Sequence, residues 1–238
     1  MKALIITAFV VTTAVSVFAQ GTVVFVGNSY AGTQHIWAPS YSGWGWISLV
    51  GSGSNDTPSG TTPYAACGLT LIGANGLTGA FGASTTFAQL LAANGPKQPA
   101  SSLEPSGQTT TFHTGAEAGL PVLITDTLQN IPKDSPAATL DVVAWDNSSG
   151  LYPTWAVASV AWMRGLISCG TSGAFTVLSI GGDVNAPPAF AYPSFNLIPV
   201  PEPSTFELVG LGAAARLMLR RRLGLRQSSA AFGGAPIA

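Results

Sequence analysis

Charge is what this sequence has least of. Only 8% of its 238 residues are Asp, Glu, Lys or Arg, and it holds two cysteines, two histidines and three methionines. Neither cysteine has a second Cys or His at ligand spacing, so no metal site is expected, and nothing in the sequence points to a cofactor. Basic residues are scarcer still in the body of the chain. Between Gln20 and Val200, Lys97, Lys133 and Arg164 face eight acids, whereas from Pro201 onward five arginines face two glutamates. A mildly acidic body offers no phosphate-binding surface, which excludes nucleic acid as a partner. Few long helices can be built from such a composition, and the length allows one ordinary domain with appended segments.

Glycine (28) and proline (17) are plentiful instead, and short β-branched or aromatic runs lie between them. Strands are expected at 22–26, 44–50, 68–72, 109–112, 121–125, 139–145, 175–180 and 194–198. Within 139–145, Leu140, Val142 and Ala144 share one face, with Asp141 on the other beside Val143 and Trp145. The following "DNSSG" is a turn. In "TTFAQLLAANGP" a Thr86-x-x-Gln89 capping box argues for helix and the position between strands argues for a strand, which is the reading preferred. "YPTWAVASVAWMRG" reads as a turn or two of helix, with Pro153 near its start and Gly165 past its end. The expected fold class is all-β: an antiparallel, jelly-roll-like sandwich of roughly eight strands over residues 20–198.

The first nineteen residues are laid out as a secretory signal. Lys2 supplies the positive start, 3–15 are apolar, and Val17-Phe18-Ala19 places small residues where signal peptidase cuts. In an exported protein Cys67 and Cys169 can pair as a disulfide across a long loop, or rest as two small buried residues that never meet.

Catalytic chemistry finds few supports. "VVFVGNSYAGTQH" resembles the nucleophile block of the SGNH hydrolases through Gly27-Asn28-Ser29. That family needs a histidine base late in the chain, three residues after an aspartate; here Gly32 precedes His35 and Thr110 precedes His113. Without a base, the Ser29 hydroxyl is a weak nucleophile. Asp141, Asp146 and Asn147 lack calcium-loop spacing. Paired carboxylates for glycoside hydrolysis meet only in space, and few acids are available. Six tryptophans are more suggestive. Trp44 and Trp46 would share a strand face beside Tyr41, as in platforms that stack on sugar rings, while core packing is the other use of such rings.

The strongest pattern comes late. Val200-Pro201-Glu202-Pro203-Ser204-Thr205 runs into the mostly apolar "FELVGLGAAARLML" and then Arg220-Arg221-Arg222. This run resembles the PEP-CTERM sorting signal of Gram-negative bacteria. The resemblance implies a transient inner-membrane helix over 206–219, a basic cluster held in the cytoplasm by the positive-inside rule, and processing by exosortase. It implies a final place on the cell surface or in the extracellular matrix, with exopolysaccharide and biofilm as the setting. "QGTVVF", "ATLDVVAWD", "GTSGAFTV" and "APP" before "SFNL" look like the short β-rich surface proteins that precede such signals in Verrucomicrobia-like bacteria. Fourteen residues of helix reach about 21 Å against a hydrocarbon core of roughly 30 Å. Residues 223–238 form a low-complexity tail, expected to be disordered.

The expected protein is therefore an exported, non-enzymatic surface or matrix protein: a signal peptide over 1–19, the β domain, a sorting segment over 199–222 and the tail. A carbohydrate-binding module or, more remotely, a secreted hydrolase are the other readings. The exported chain is expected to begin at Gln20; N-terminal sequencing that returns Met1 would contradict it.

Overall fold

The structure is a computed structural model and describes residues 20–26, 28–29, 32–42, 45–51 and 64–199. Its strands are β1 (Gln20–Phe25), five two-residue pieces β2 (Asn28–Ser29), β3 (Gly32–Thr33), β4 (Ile36–Trp37), β5 (Tyr41–Ser42) and β6 (Gly45–Trp46), then β7 (Thr86–Asn94), β8 (Glu104–Thr110), β9 (Ile124–Pro132), β10 (Ala137–Asp146), β11 (Cys169–Thr171), β12 (Phe175–Leu178) and β13 (Phe195–Asn196). One α-helix, α1 (Trp155–Met163), lies between β10 and β11. The described residues are thus mostly β, with α1 the one α-helix among them.

A five-stranded antiparallel sheet organises the domain, in the order β11-β10-β7-β8 with β12 also on β10. One edge of β10 is shared: Val143–Trp145 pair with β11 and Ala137–Leu140 with β12, while β7 runs the length of the other edge. From Ala137 to Trp145 every residue of β10 is buried. Ala138, Leu140, Val142 and Ala144 enter the larger core with Ala88, Leu90 and Ala92 of β7. Val143 and Trp145 enter a second cluster on the opposite face, with Leu91, Ala158 and Cys169.

This two-sided burial explains why "TTFAQLLAAN" is a strand. Its Ala88-Leu90-Ala92 and Phe87-Leu91 sets serve two cores at period two, a division that a helix could not make. The capping box is overridden by nine ladder partners along β10.

The larger core is closed by a ribbon of β1 and β9, which contribute Val23, Phe25, Leu128 and Ile131. Three side chains tie β9 and the segment before it to the sheet. Asn130 donates to the Ala92 carbonyl at 2.6 Å, Thr110 donates to the Val122 carbonyl at 2.8 Å, and Asp126 accepts from the Gln108 amide at 2.8 Å.

The opposite face is covered by α1. Pro153 and the extended Thr154 lead into it, and Gly165, at φ +71°, reverses the chain past its end with its N–H on the Trp162 carbonyl. Trp155, Ala158 and Trp162 pack toward the sheet. The helix follows the sequence-based reading closely.

Elsewhere the strands depart from expectation. Of the expected strand 44–50, the described residues 45–50 form β6 and an isolated bridge at Val50. The backbone at Ile47 and Leu49 is satisfied by the buried Asn196 amide: its Nδ2 donates to the Ile47 carbonyl at 2.7 Å, and its Oδ1 accepts from the Leu49 amide at 2.7 Å. A side chain here does the work of a ladder. Residues 68–72 contribute only a bridge at Leu71, whereas β9 continues to Pro132, well past the expected 125. The arrangement is also not wholly antiparallel. β13 runs parallel to β4, since the last described residues return along the first third of the chain in the same direction.

Leu140→Ala should lower unfolding stability by about 2–5 kcal/mol in urea melts, while Leu178→Ala on exposed β12 should cost under about 0.5 kcal/mol. Equal losses would contradict this account of the core.

Candidate functional site

Aromatic residues separate into three fates. Trp37 lies flat on Tyr64, with centroids 5.3 Å apart and planes within 6°, and the Tyr64 hydroxyl donates to the Ser194 carbonyl at 2.6 Å. Trp145 is fully buried, and its indole N–H donates to the Tyr152 carbonyl at 2.7 Å. Phe87, Trp145, Trp155 and Trp162 form a chain of rings with centroids 5.8–6.3 Å apart. These tryptophans pack the domain. Trp46 is different: it is 40% exposed and stands opposite Tyr41 in the register of β5 and β6. Trp44, the third member of the expected platform, lies outside the described residues.

The two cysteines do not pair. Cys67, in a short 3-10 turn, packs against the Trp37–Tyr64–Leu69 cluster, and Cys169 is buried beneath α1 in another. Separate hydrophobic surroundings hold them as two free thiols, the second of the two readings that the sequence left open. Burial, with the charge of Asp146 adding to it, pushes the Cys169 thiol far above its ordinary range, so it is inert as a nucleophile.

Carboxylates serve the backbone. Asp146 accepts from the amide and hydroxyl of Ser148, both at 3.0 Å, and Asn147 accepts from the Tyr152 amide at 2.7 Å. "DNSSG" is the turn its composition announces. Asp141 is buried within β10 and accepts from Thr171 at 2.6 Å and Ser172 at 3.0 Å; burial nevertheless raises its pKa. Asp134 accepts backbone N–H groups from Asp183, Val184 and Asn185 at 2.8–3.1 Å. The Asn185 contact is the largest influence holding its pKa below the ordinary value.

Asp126 is the residue that sequence reading missed. It is fully buried, and burial lifts its pKa to about 6 against the opposing bonds from Gln108 and Thr127. A register shift opposite Ala88–Leu90 puts extra residues into β8, Gly107 at φ +83° among them, directly against the carboxylate: a Cβ there would come within 2.0 Å of Oδ2. Gln89 Nε2 donates to the Gly107 carbonyl at 3.0 Å, while Gln89 Oε1, Ser106 Oγ and Asp126 Oδ2 have no hydrogen-bond partner. The alternation in "ITDTLQNIP" was the available signal, since it puts Asp126 on the same face as Leu128. Through the Gln108–Asp126 bond the polar knot ties the sheet to the ribbon.

Among the described residues no three His, Cys, Asp or Glu side chains come together as a metal-binding group. His113 stands 3.4 Å from Glu117 on an exposed turn, and the His35 ring meets Trp37 edge-on at 6.1 Å. A hollow of about 130 Å³ lined by Gln129, Asn130, Ile131 and Pro132 is small beside the clefts that hold small-molecule ligands.

The sorting residues Pro201, Glu202, Pro203, Ser204 and Arg220–Arg222 lie outside the described residues, as do 1–19 and 223–238. What the structure does place is the point of departure. Ile198 forms a two-way backbone pair with Cys169, at 3.0 and 2.8 Å, and its carbonyl also accepts the Trp162 indole N–H at 3.1 Å. The last described residue, Pro199, follows at once. Among the described residues no helix is long and apolar enough to cross a membrane.

The family model of the PEP-CTERM protein-sorting motif matches residues 199–222. The motif thus begins one residue after the pinned Ile198, and it marks the chain for sorting by exosortase. Neither the curated proteins nor the solved structures give a match. The molecule is a mostly β domain with a sorting motif attached to its last β pairing.

Because Asp126 has a folded pKa above its unfolded one, its protonated form favours the fold. That contribution is complete below about pH 4 and is lost as pH rises through about 6. Asp126→Asn should flatten the stability profile over this range, where one proton gives at most about 1.4 kcal/mol per pH unit. Urea melts of both proteins between pH 4 and 7 with parallel slopes would contradict it.

Proposed function

We propose that this chain is an exported, non-enzymatic component of the cell surface or extracellular matrix, delivered by a transient membrane anchor that exosortase removes. The observation that carries the reading is the match at residues 199–222, joined directly to a domain whose last β pairing closes at Ile198. The ribbon β1/β9 and the five-stranded sheet are read as two layers of a sandwich around the shared core. The buried carboxylates act as backbone acceptors, which supports a scaffold.

Pro201, Glu202 and Pro203 supply the element an enzyme can read. Two prolines hold the backbone extended and remove its donors, leaving the Glu202 side chain as the distinctive mark. Arg220, Arg221 and Arg222 hold the far end in the cytoplasm.

In the native host, Glu202→Ala with Pro203→Ala should leave full-length chain in the inner-membrane fraction, while the natural sequence yields a shorter mature form. Mass spectrometry that finds natural protein intact through Ala238 would overturn the processing.

Exposed Trp46 opposite Tyr41 favours carbohydrate binding as a second reading. Trp46→Ala should then lower retention on exopolysaccharide at least about tenfold, a loss of roughly 1.4 kcal/mol. Unchanged retention would remove the platform.

A further inference from the structure

Helix α1 has apolar side chains all the way round. Trp155, Ala158 and Trp162 face the sheet, whereas Val157, Val160 and Met163 face away and are 44%, 49% and 72% exposed. Their spacing of three puts them on one side, and Leu166, 63% exposed, follows the helix end. A surface helix of a soluble domain normally turns a polar face outward; this one has only Ser159 to offer.

Two further observations say what covers that face. The chain leaves the domain beside it: the indole of Trp162, on α1 itself, holds the Ile198 carbonyl, and Ile198 is the residue before the sorting motif. Seven residues, 199–205, separate Ile198 from Phe206, where the apolar segment begins. With Pro199, Pro201 and Pro203 among them, they span at most about 25 Å in an extended form. The charge pattern agrees. No acid stands between Asn147 and Gly182, and the single charge in that stretch is Arg164, at the exposed end of α1. The stretch that carries this apolar face therefore holds an arginine and no acid, and the tether begins beside it.

We propose that the outer face of α1 rests on the phospholipid bilayer while the chain is anchored. Val157, Val160, Met163 and Leu166 enter the headgroup boundary, and Arg164 meets lipid phosphate. The proposal rests on the transient anchor argued above and adds a second membrane contact to it. Burying an apolar helical face in the interface removes it from water without spanning the bilayer.

The test uses the full chain reconstituted in phosphatidylethanolamine/phosphatidylglycerol vesicles, in a Cys67→Ser background, with Cys169 buried. Bimane is attached at Val160→Cys or, independently, at Met163→Cys. Leu178→Cys is the control, exposed on β12 opposite Ala137 at the far end of β10 from Trp145. Lipids carrying a shallow acyl-chain nitroxide should quench the label on α1 at least about threefold more than the control. Equal quenching in a chain that resists carbonate extraction overturns the docking and leaves the anchor standing. A chain that washes off in carbonate overturns the anchor, and the docking with it. Protection of the label that tracks protein-to-lipid ratio and ignores the nitroxide assigns the face to a second copy, which also overturns the proposal.

Discussion

Strand β10 has no solvent face, and the rest of the domain is arranged to make that possible. Nine consecutive buried residues need apolar cover on two sides and ladder partners on both edges. The ribbon of β1 and β9 supplies one cover and α1 the other, while β7, β11 and β12 supply the edges. Polar side chains caught in this strand must then be satisfied from within. Thr139 donates to the Gly95 carbonyl and accepts from the Gln98 amide, and Asp141 takes the hydroxyls of Thr171 and Ser172. Each bond also fixes a loop against the sheet, so the demand for hydrogen bonds and the placement of connections are met together.

The scarcity of charge has a related use. Asp126, Asp134, Asp141 and Asp146 all point carboxylate oxygens at backbone amides or hydroxyls near their own part of the fold. A charged acceptor makes a stronger bond than a neutral one: Asp134 and Asp146 hold turns, while Asp126 and Asp141 join strand to strand. Their pKa values move in opposite directions because burial and backbone donors compete. Burial dominates at Asp126 and Asp141, and donors dominate at half-buried Asp134. Acid chemistry of this kind looks catalytic on a list of perturbed groups, yet its geometry joins strands and loops.

The sequence made the coarse architecture legible wherever a local rule matched the tertiary outcome. The period-two runs at 22–26 and 139–145, the turn at Asp146 and the helix after Pro153 were all readable. Strand β7 was readable only from its position, since the capping box pointed the other way. The short pairings near the N-terminus were not readable, because Asn196, some 150 residues later in the chain, satisfies the backbone at Ile47 and Leu49. The free thiols and Asp126 were hidden for a similar reason: burial cluster and neighbour identity are properties of space. The sorting signal stood clear because its parts are contiguous, and a reader enzyme needs them in that order.

The end of the domain is where the β structure and the sorting motif meet physically. A fourteen-residue apolar segment reaches about 21 Å and falls roughly 9 Å short of the hydrocarbon core. A short span is accommodated by local thinning of the bilayer. Side chains pressed between headgroups widen the area per lipid and thin the hydrocarbon beneath them, so an apolar face near the entry point eases the mismatch. Trp162 serves both sides of that relation, since its ring packs on Trp155 and its N–H holds the carbonyl from which the tether starts. On the docking proposed above, the outer face of α1 makes up what a short span lacks, and a weak anchor suits a segment that is to be cut once.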